Sequence, residues 1–195
     1  VKYLELKALE GKPYFTSQDV AEILGIKHAS AIVLSTRYVK KGLFIRLKKD
    51  LYVIKDRWQK HFLTEYFQIA NILQVPSYIS LLTALSFYEV TTQVQRGFFE
   101  SVCVKRTARY EIDGILFNYY KVNKELYFDF IKQGDFFIAT NEKALLDAVY
   151  LWSFGKYSFD FSSIDISKID LKRLKKLLTK YPDRTKRAVE KICKI

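Results

Sequence analysis

The sequence predicts an α+β fold in two parts. Three observations lead there. Two short capped helices and a strand–turn–strand pattern follow one another within the first 54 residues. The hydrophobic period changes from helical to two at Phe99. Two amphipathic, Leu- and Lys-rich segments close the chain after Asp170.

The elements follow in order. Residues 2–10 read as a short helix with Tyr3, Leu4, Leu6 and Leu9 on one broad face, ended by Gly11 and Pro13. Thr16 with Asp19 three residues on resembles a capping box in which Asp replaces Glu. The helix it starts carries Val20, Ala21, Ile23 and Leu24 and stops at Gly25, a favoured C′ residue. A second helix runs from about Ser30 to Lys41, with Ala31, Leu34 and Tyr38 as its buried stripe, and Gly42 closes it. Leu43–Leu47 and Leu51–Ile54 then read as a hairpin around the polar turn Lys48-Lys49-Asp50. Helix, capped helix, turn, helix and basic-tipped ribbon are the order of a winged helix-turn-helix. Residues 1–56 are assigned to it.

Trp58, Phe62, Tyr66, Ile69 and Leu73 recur at helical spacing, so residues 57–75 read as a connecting helix up to Pro76. Residues 76–195 form a mixed α/β C-terminal domain with a small, antiparallel-rich sheet and C-terminal helices. Tyr78–Tyr88 reads as a helix with Leu81, Leu82 and Leu85 inward. Phe99–Lys105, Tyr110–Ile112 and Ile115–Val122 read as strands, the last two joined by Asp113-Gly114 as a hairpin turn. Asp135–Ala139 is a further short strand. Thr140 or Asn141 caps a helix over Glu142–Trp152, Asp170 caps the next, and Asp183 the last.

Composition narrows the function classes. The 195 residues are 49% hydrophobic and 28% charged, which fits a globular chain and excludes a disordered or collagen-like one. Cys103 and Cys193 are ninety positions apart and the histidines are His28 and His61, so neither a zinc-finger spacing nor a disulfide scaffold can be built. No apolar run reaches the roughly 18 residues of a membrane span. The opening Val1-Lys2-Tyr3 is neither an initiator methionine nor a signal peptide, and a cytoplasmic location without membrane contact is expected. The net charge of +12 is uneven: +7 over residues 1–60, −3 over 61–165 and +8 over 166–195. Both ends would attract a polyanion through counterion release.

Three stretches resemble the AbiEi-type antitoxins of type IV toxin–antitoxin systems and their relatives among bacterial transcriptional regulators. Val39-Lys40-Lys41-Gly42-Leu43-Phe44-Ile45-Arg46-Leu47 with Leu51-Tyr52 is similar to that family's helix end, wing and return strand. Pro76-Ser77-Tyr78-Ile79-Ser80-Leu81-Leu82-Thr83-Ala84-Leu85 is similar to its P-S-Y-I-S-x-x-S-A-L segment. Ile138-Ala139-Thr140-Asn141-Glu142-Lys143-Ala144-Leu145-Leu146-Asp147 is similar to its A-x-x-E-K-A-L-L-D helix start. Asp50 stands where the family often has Gly, and Asp tolerates a left-handed conformation better than most residues. The resemblance implies a non-enzymatic autorepressor that binds inverted repeats in its own promoter. It also implies a C-terminal domain opposing a nucleotidyltransferase-like toxin.

The DNA-facing candidates are His28 and Ser30 near the start of the second helix, then Thr36, Arg37 and Lys40, with Arg46, Lys48 and Lys49 at the wing. A solvated face is the alternative for each. Lys172, Arg173, Lys176, Arg184 and Arg187 form a second basic patch, for DNA, for an acidic partner or simply for solubility. Glu111 and Asp113 share a strand face, but the E-x-K strand of a metal-dependent nuclease is lacking, and Lys143 with Asp147 reads as an ordinary i, i+4 helix pair. There is no P-loop and no G-x-G-x-x-G. No catalytic residue, cofactor or metal is expected. Two alternatives remain open: a free-standing winged-helix repressor whose C-terminal domain senses a ligand or dimerises, and a nucleic-acid-processing enzyme using residues 99–152.

Overall fold

A computed structural model describes residues 2–93 and 95–194; Val1, on which the reading of the chain start rests, lies outside them with Val94 and Ile195. The chain divides into two compact units, residues 1–69 and 70–195. Together they make a mixed α+β protein with a two-stranded antiparallel sheet, a larger mixed sheet and C-terminal helices.

The first unit opens with α1 (Lys2–Leu6), which tightens into a 3-10 turn over Lys7–Gly11. Helix α2 (Ser17–Leu24) starts at a complete capping box: the Thr16 hydroxyl accepts from the Asp19 N–H, and Asp19 accepts from the Thr16 N–H at 2.7 Å. Gly25 ends it at φ 59°, the left-handed C′ position that glycine fills without a Cβ clash. Helix α3 (His28–Lys40) buries Ala31, Ser35 and Tyr38, with Leu34 only half-buried. Ala31 and Tyr38 thus face inward as expected, Leu34 packs against the core from its edge, and Ser35 joins the buried stripe. The hairpin β1 (Phe44–Lys48) and β2 (Leu51–Ile54) turns through Lys49-Asp50, with Asp50 at φ 56°. Phe15, Tyr38, Phe44 and Tyr52 pack ring against ring, Phe15 and Phe44 at 4.9 Å between centroids, and close the core.

The connecting helix expected over residues 57–75 is two helices, α4 (Lys55–Trp58) and α5 (Leu63–Leu73). The break has a local cause. Glu65 accepts from the Phe62 N–H at 2.6 Å, as a capping side chain does, and binds the Arg57 guanidinium through both oxygens at 2.9 Å. Tyr66 donates its hydroxyl to the Trp58 carbonyl at 2.5 Å, and Phe62, expected on the buried stripe, is exposed. The boundary between the two units falls inside α5.

The second unit is built on six strands: β3 (Ser77–Ile79), β4 (Phe98–Cys103), β5 (Ala108–Ile112), β6 (Ile115–Lys121), β7 (Phe130–Gln133) and β8 (Phe136–Ala139). Their order is β5-β6-β4-β3-β8-β7, with β4–β6 and β3–β8 parallel. The sheet is therefore larger and more mixed than expected. Residues 77–79 are strand rather than helix, and the helix α6 (Leu81–Phe87) starts only after them. All three residues of β3 are buried, so no polar alternation marks the strand in the sequence. Asp113 and Gly114 take φ 46° and 83° and turn β5 into β6, the conformation a two-residue hairpin demands. Helix α7 (Asn141–Ser153), capped by the Thr140 hydroxyl, is buried at nearly every position and packs against α6, α8 (Leu171–Leu178) and α9 (Asp183–Cys193). Asp170 caps α8 as expected, whereas Asp183 is the first residue of α9 and Pro182 holds its cap position.

Candidate nucleic-acid interface

In the first unit the charge is arranged on one continuous piece of chain. From Ile23 to Lys49 no Asp or Glu occurs, while Lys27, Arg37, Lys40, Lys41, Arg46, Lys48 and Lys49 do, and all seven are exposed. This piece is the end of α2, all of α3 and the first strand and tip of the hairpin.

Among the side chains expected to face DNA, Ser30 and Arg37 line an open cleft along α3 together with Ile26, Ala29, Val33 and Leu34. Arg37 is exposed and has no ion pair among the described residues. Thr36 is exposed, and its hydroxyl donates back to the Ile32 carbonyl at 2.9 Å, leaving its oxygen lone pairs outward. Lys40 extends from the last turn of α3. At the hairpin, the Arg46 Nε donates to the Lys48 carbonyl at 3.3 Å, bracing the end that carries Lys48 and Lys49.

His28, also among the expected DNA-facing side chains, is exposed and is tied into the fold through its ring. Side chains at the start of a helix lean toward its N-terminus, and this ring reaches back to α2, where its Nε2 lies 2.7 Å from the Ser17 hydroxyl. Ser17 in turn gives its N–H, at 3.1 Å, and its hydroxyl hydrogen, at 2.5 Å, to Asp50. With that hydrogen committed to a carboxylate, the hydroxyl receives the Nε2–H of His28. Ser17 is fully buried, so one enclosed hydroxyl ties together the starts of α2 and α3 and the hairpin turn. Sequence reasoning assigns no such bond to Ser17 or Asp50. They are 33 residues apart, and nothing local signals it. The capping carboxylate beside them, Asp19, is pushed up by burial, but hydrogen bonds from Lys12 and Thr16 outweigh this and hold it below the usual range.

The expected second patch is partly spent on the fold. Arg173 donates to Asp129 at 2.8 Å and lies 3.6 Å from Glu142, and Arg184 sits over the Phe154 ring at 5.4 Å. Lys172, Lys176 and Arg187 are exposed.

The second unit hides its remaining polar chemistry. Lys143 and Asp147, expected as an ordinary i, i+4 helix pair, are joined by an ion pair and both fully enclosed. Asp147 also accepts from Tyr78 at 3.0 Å, Ser80 at 2.8 Å and Tyr181 at 3.3 Å, and the Lys143 ammonium lies 4.9 Å from the Phe128 ring centroid. Burial lowers the Lys143 pKa against the pull of Asp147, and burial beside Asp147 drives the Tyr78 and Tyr181 hydroxyls well up. Glu100, on β4, is another enclosed carboxyl. Burial raises it to about 7, against hydrogen bonds from Tyr157 at 2.8 Å and Gln95 at 3.2 Å. Cys103 is buried, and its thiol meets Gln74 and the Arg106 carbonyl. Among the described residues no three His, Cys, Asp or Glu side chains form a group fit to hold a metal ion, and no helix is long and apolar enough to cross a membrane.

The chain matches no protein-family model and no curated protein sequence. In fold it is similar to the RV2827C protein from Mycobacterium tuberculosis, known from a crystal structure, with a TM-score of 0.62 and 11% identity over 96% of this chain and 74% of that one. At such an identity the likeness is one of fold alone.

Proposed function

We propose that the protein is a non-enzymatic, cytoplasmic DNA-binding transcriptional regulator whose residues 1–56 act as a winged helix-turn-helix. The observation that carries this reading is the acid-free run from Ile23 to Lys49, with seven exposed cations on α3, its flanks and the hairpin. A phosphate backbone meets no repelling carboxylate along that run, and each phosphate neutralised releases a counterion. The second helix, α3, offers Ser30 and Arg37 toward base edges, while Lys40, Lys48 and Lys49 serve phosphates. The Ser17–Asp50–His28 bridge holds the wing at a set angle to both helices, as a reader of a rigid groove requires.

The antitoxin role extends this proposal and rests on the three AbiEi-like stretches of sequence. On that reading the protein represses its own operon at inverted repeats, and residues 76–195 oppose a nucleotidyltransferase-like toxin. Its ionisable pair on α7 is enclosed, which supports a binding rather than a catalytic role for the second unit. The test is a gel shift with the full chain and the DNA upstream of its own coding sequence at several salt concentrations. A complex that weakens steeply with salt is expected, and absence of binding at low salt would overturn the proposal. Co-expression with a neighbouring toxin gene tests the second role, with rescue of growth as the expected result.

A further inference from the structure

The outer face of α3 is unusual for a surface so rich in cations, because much of it is apolar. Ala29, Val33 and Arg37 follow one another at i, i+4 and i+8 and so form one stripe along the helix, with Ser30 beside it. Val33 is 59% exposed and the adjacent Ile32 is 43% exposed. Between His28 and Lys40 there is no Asn, Gln, Asp or Glu. The helix therefore lacks the amide side chains that read adenine and the carboxylates that read cytosine. Between His28 and Lys40, what it offers to a base edge is two hydroxyls, one guanidinium and a row of methyl groups.

We propose that this stripe recognises thymine C5-methyl groups in the major groove, so that the protein's target is B-form DNA with thymines facing Ala29 and Val33. The inference rests on the DNA-binding reading above and names its specificity. The C5-methyl of thymine is the one apolar group that a base pair presents in the major groove. Charge selects the occupant: an apolar protein segment would bring no negative charge to the surrounding cations, whereas a duplex presents methyl groups between two rows of phosphate. RNA is excluded twice over, since uracil lacks the methyl group and the A-form major groove is too narrow to admit the helix. Arg37, at the far end of the stripe, then faces a guanine or a phosphate next to the thymines.

The experiment uses the full-length protein and a duplex that it selects from a random-sequence pool. The same duplex is then made with deoxyuridine in place of thymidine, and both are measured with the wild type and with Val33→Ser. The selected sites are expected to be rich in thymine. Deoxyuridine should weaken wild-type binding by about fourfold for each thymine methyl that the stripe covers, the worth of one buried CH₂-sized group. Val33→Ser changes an exposed side chain, should leave the circular dichroism spectrum unchanged, and should bind the two duplexes nearly alike. Equal wild-type affinity for thymidine and deoxyuridine duplexes overturns the inference and leaves DNA binding standing. Undiminished discrimination by Val33→Ser overturns it as well. Selection of no duplex at all overturns both readings. Self-association of the wild type that Val33→Ser abolishes assigns the stripe to a second copy of the chain instead.

Discussion

The two units handle charge in opposite ways. Residues 1–69 keep seven cations of one short stretch on the outside, around a core of aromatic rings. Residues 70–195 take Glu100, Glu142, Lys143 and Asp147 inside. Exposed charge contributes little to stability and lies where a partner can reach it. Enclosed charge is costly to strip of water, so its hydrogen-bond partners become essential to the fold. Lysine-rich composition alone says nothing of which case applies; the surroundings of each side chain decide.

The largest test of this contrast is Asp147→Ala. It leaves the Lys143 ammonium enclosed without its counter-charge and three hydroxyls without their acceptor. Unfolding in urea should show a loss of about 3–5 kcal/mol, the usual cost of breaking a buried pair from one side. The double change Lys143→Met/Asp147→Leu should recover much of that loss. If Asp147→Ala costs under about 1 kcal/mol, the pair is not enclosed as described.

Glu100 gives the next effect, with an unusual sign. Its carboxyl ionises near 4.5 when unfolded and near 7 when folded. Between these values the folded chain holds a proton that the unfolded chain releases, so stability from this group rises as pH falls from about 8 toward 5. The gain is up to about 3 kcal/mol. Glu100→Gln should lose this pH dependence and be the more stable protein at pH 8, as read from melting temperatures across the range.

In the first unit the effects should fall on binding and spare the fold. Arg37→Ala should cost roughly 1–3 kcal/mol on a selected duplex and relax base preference, with the melting temperature nearly unchanged. A large fall in melting temperature would show that Arg37 is structural. The smallest change is Lys49→Ala at the hairpin turn. It should weaken all sequences about equally and lower the salt slope by about one.

What could be read from the sequence was local. The Thr16–Asp19 box, Gly25, the left-handed Asp50, the Asp113-Gly114 turn and the Thr140 and Asp170 caps each act within a few residues, and each lies where it was expected. The split of the helix at residues 59–62 was missed because apolar spacing continued across it, while the break is made by polar bonds from Glu65 and Tyr66. Strands β3 and β7 were missed for other reasons: one is buried throughout, and the other is four residues with little burial. At the candidate interface the cations were legible from composition. The Ser17–Asp50 bond and the apolar stripe were not. The bond spans distant residues, and the stripe has the composition of a core until its exposure is known. The same ambiguity hid Lys143 and Asp147, whose i, i+4 spacing suits a solvated helix equally well.

Lys143 also supplies a built-in clock. Its amine is sealed within the second unit, and acylation needs an attacking nitrogen in open contact with the reagent. An amine-selective label will therefore mark exposed lysines such as Lys172 and Lys176 first and reach Lys143 only when α7 is uncovered. Peptide mapping of that one side chain over time thus counts how often the second unit opens, in the native protein and without denaturant.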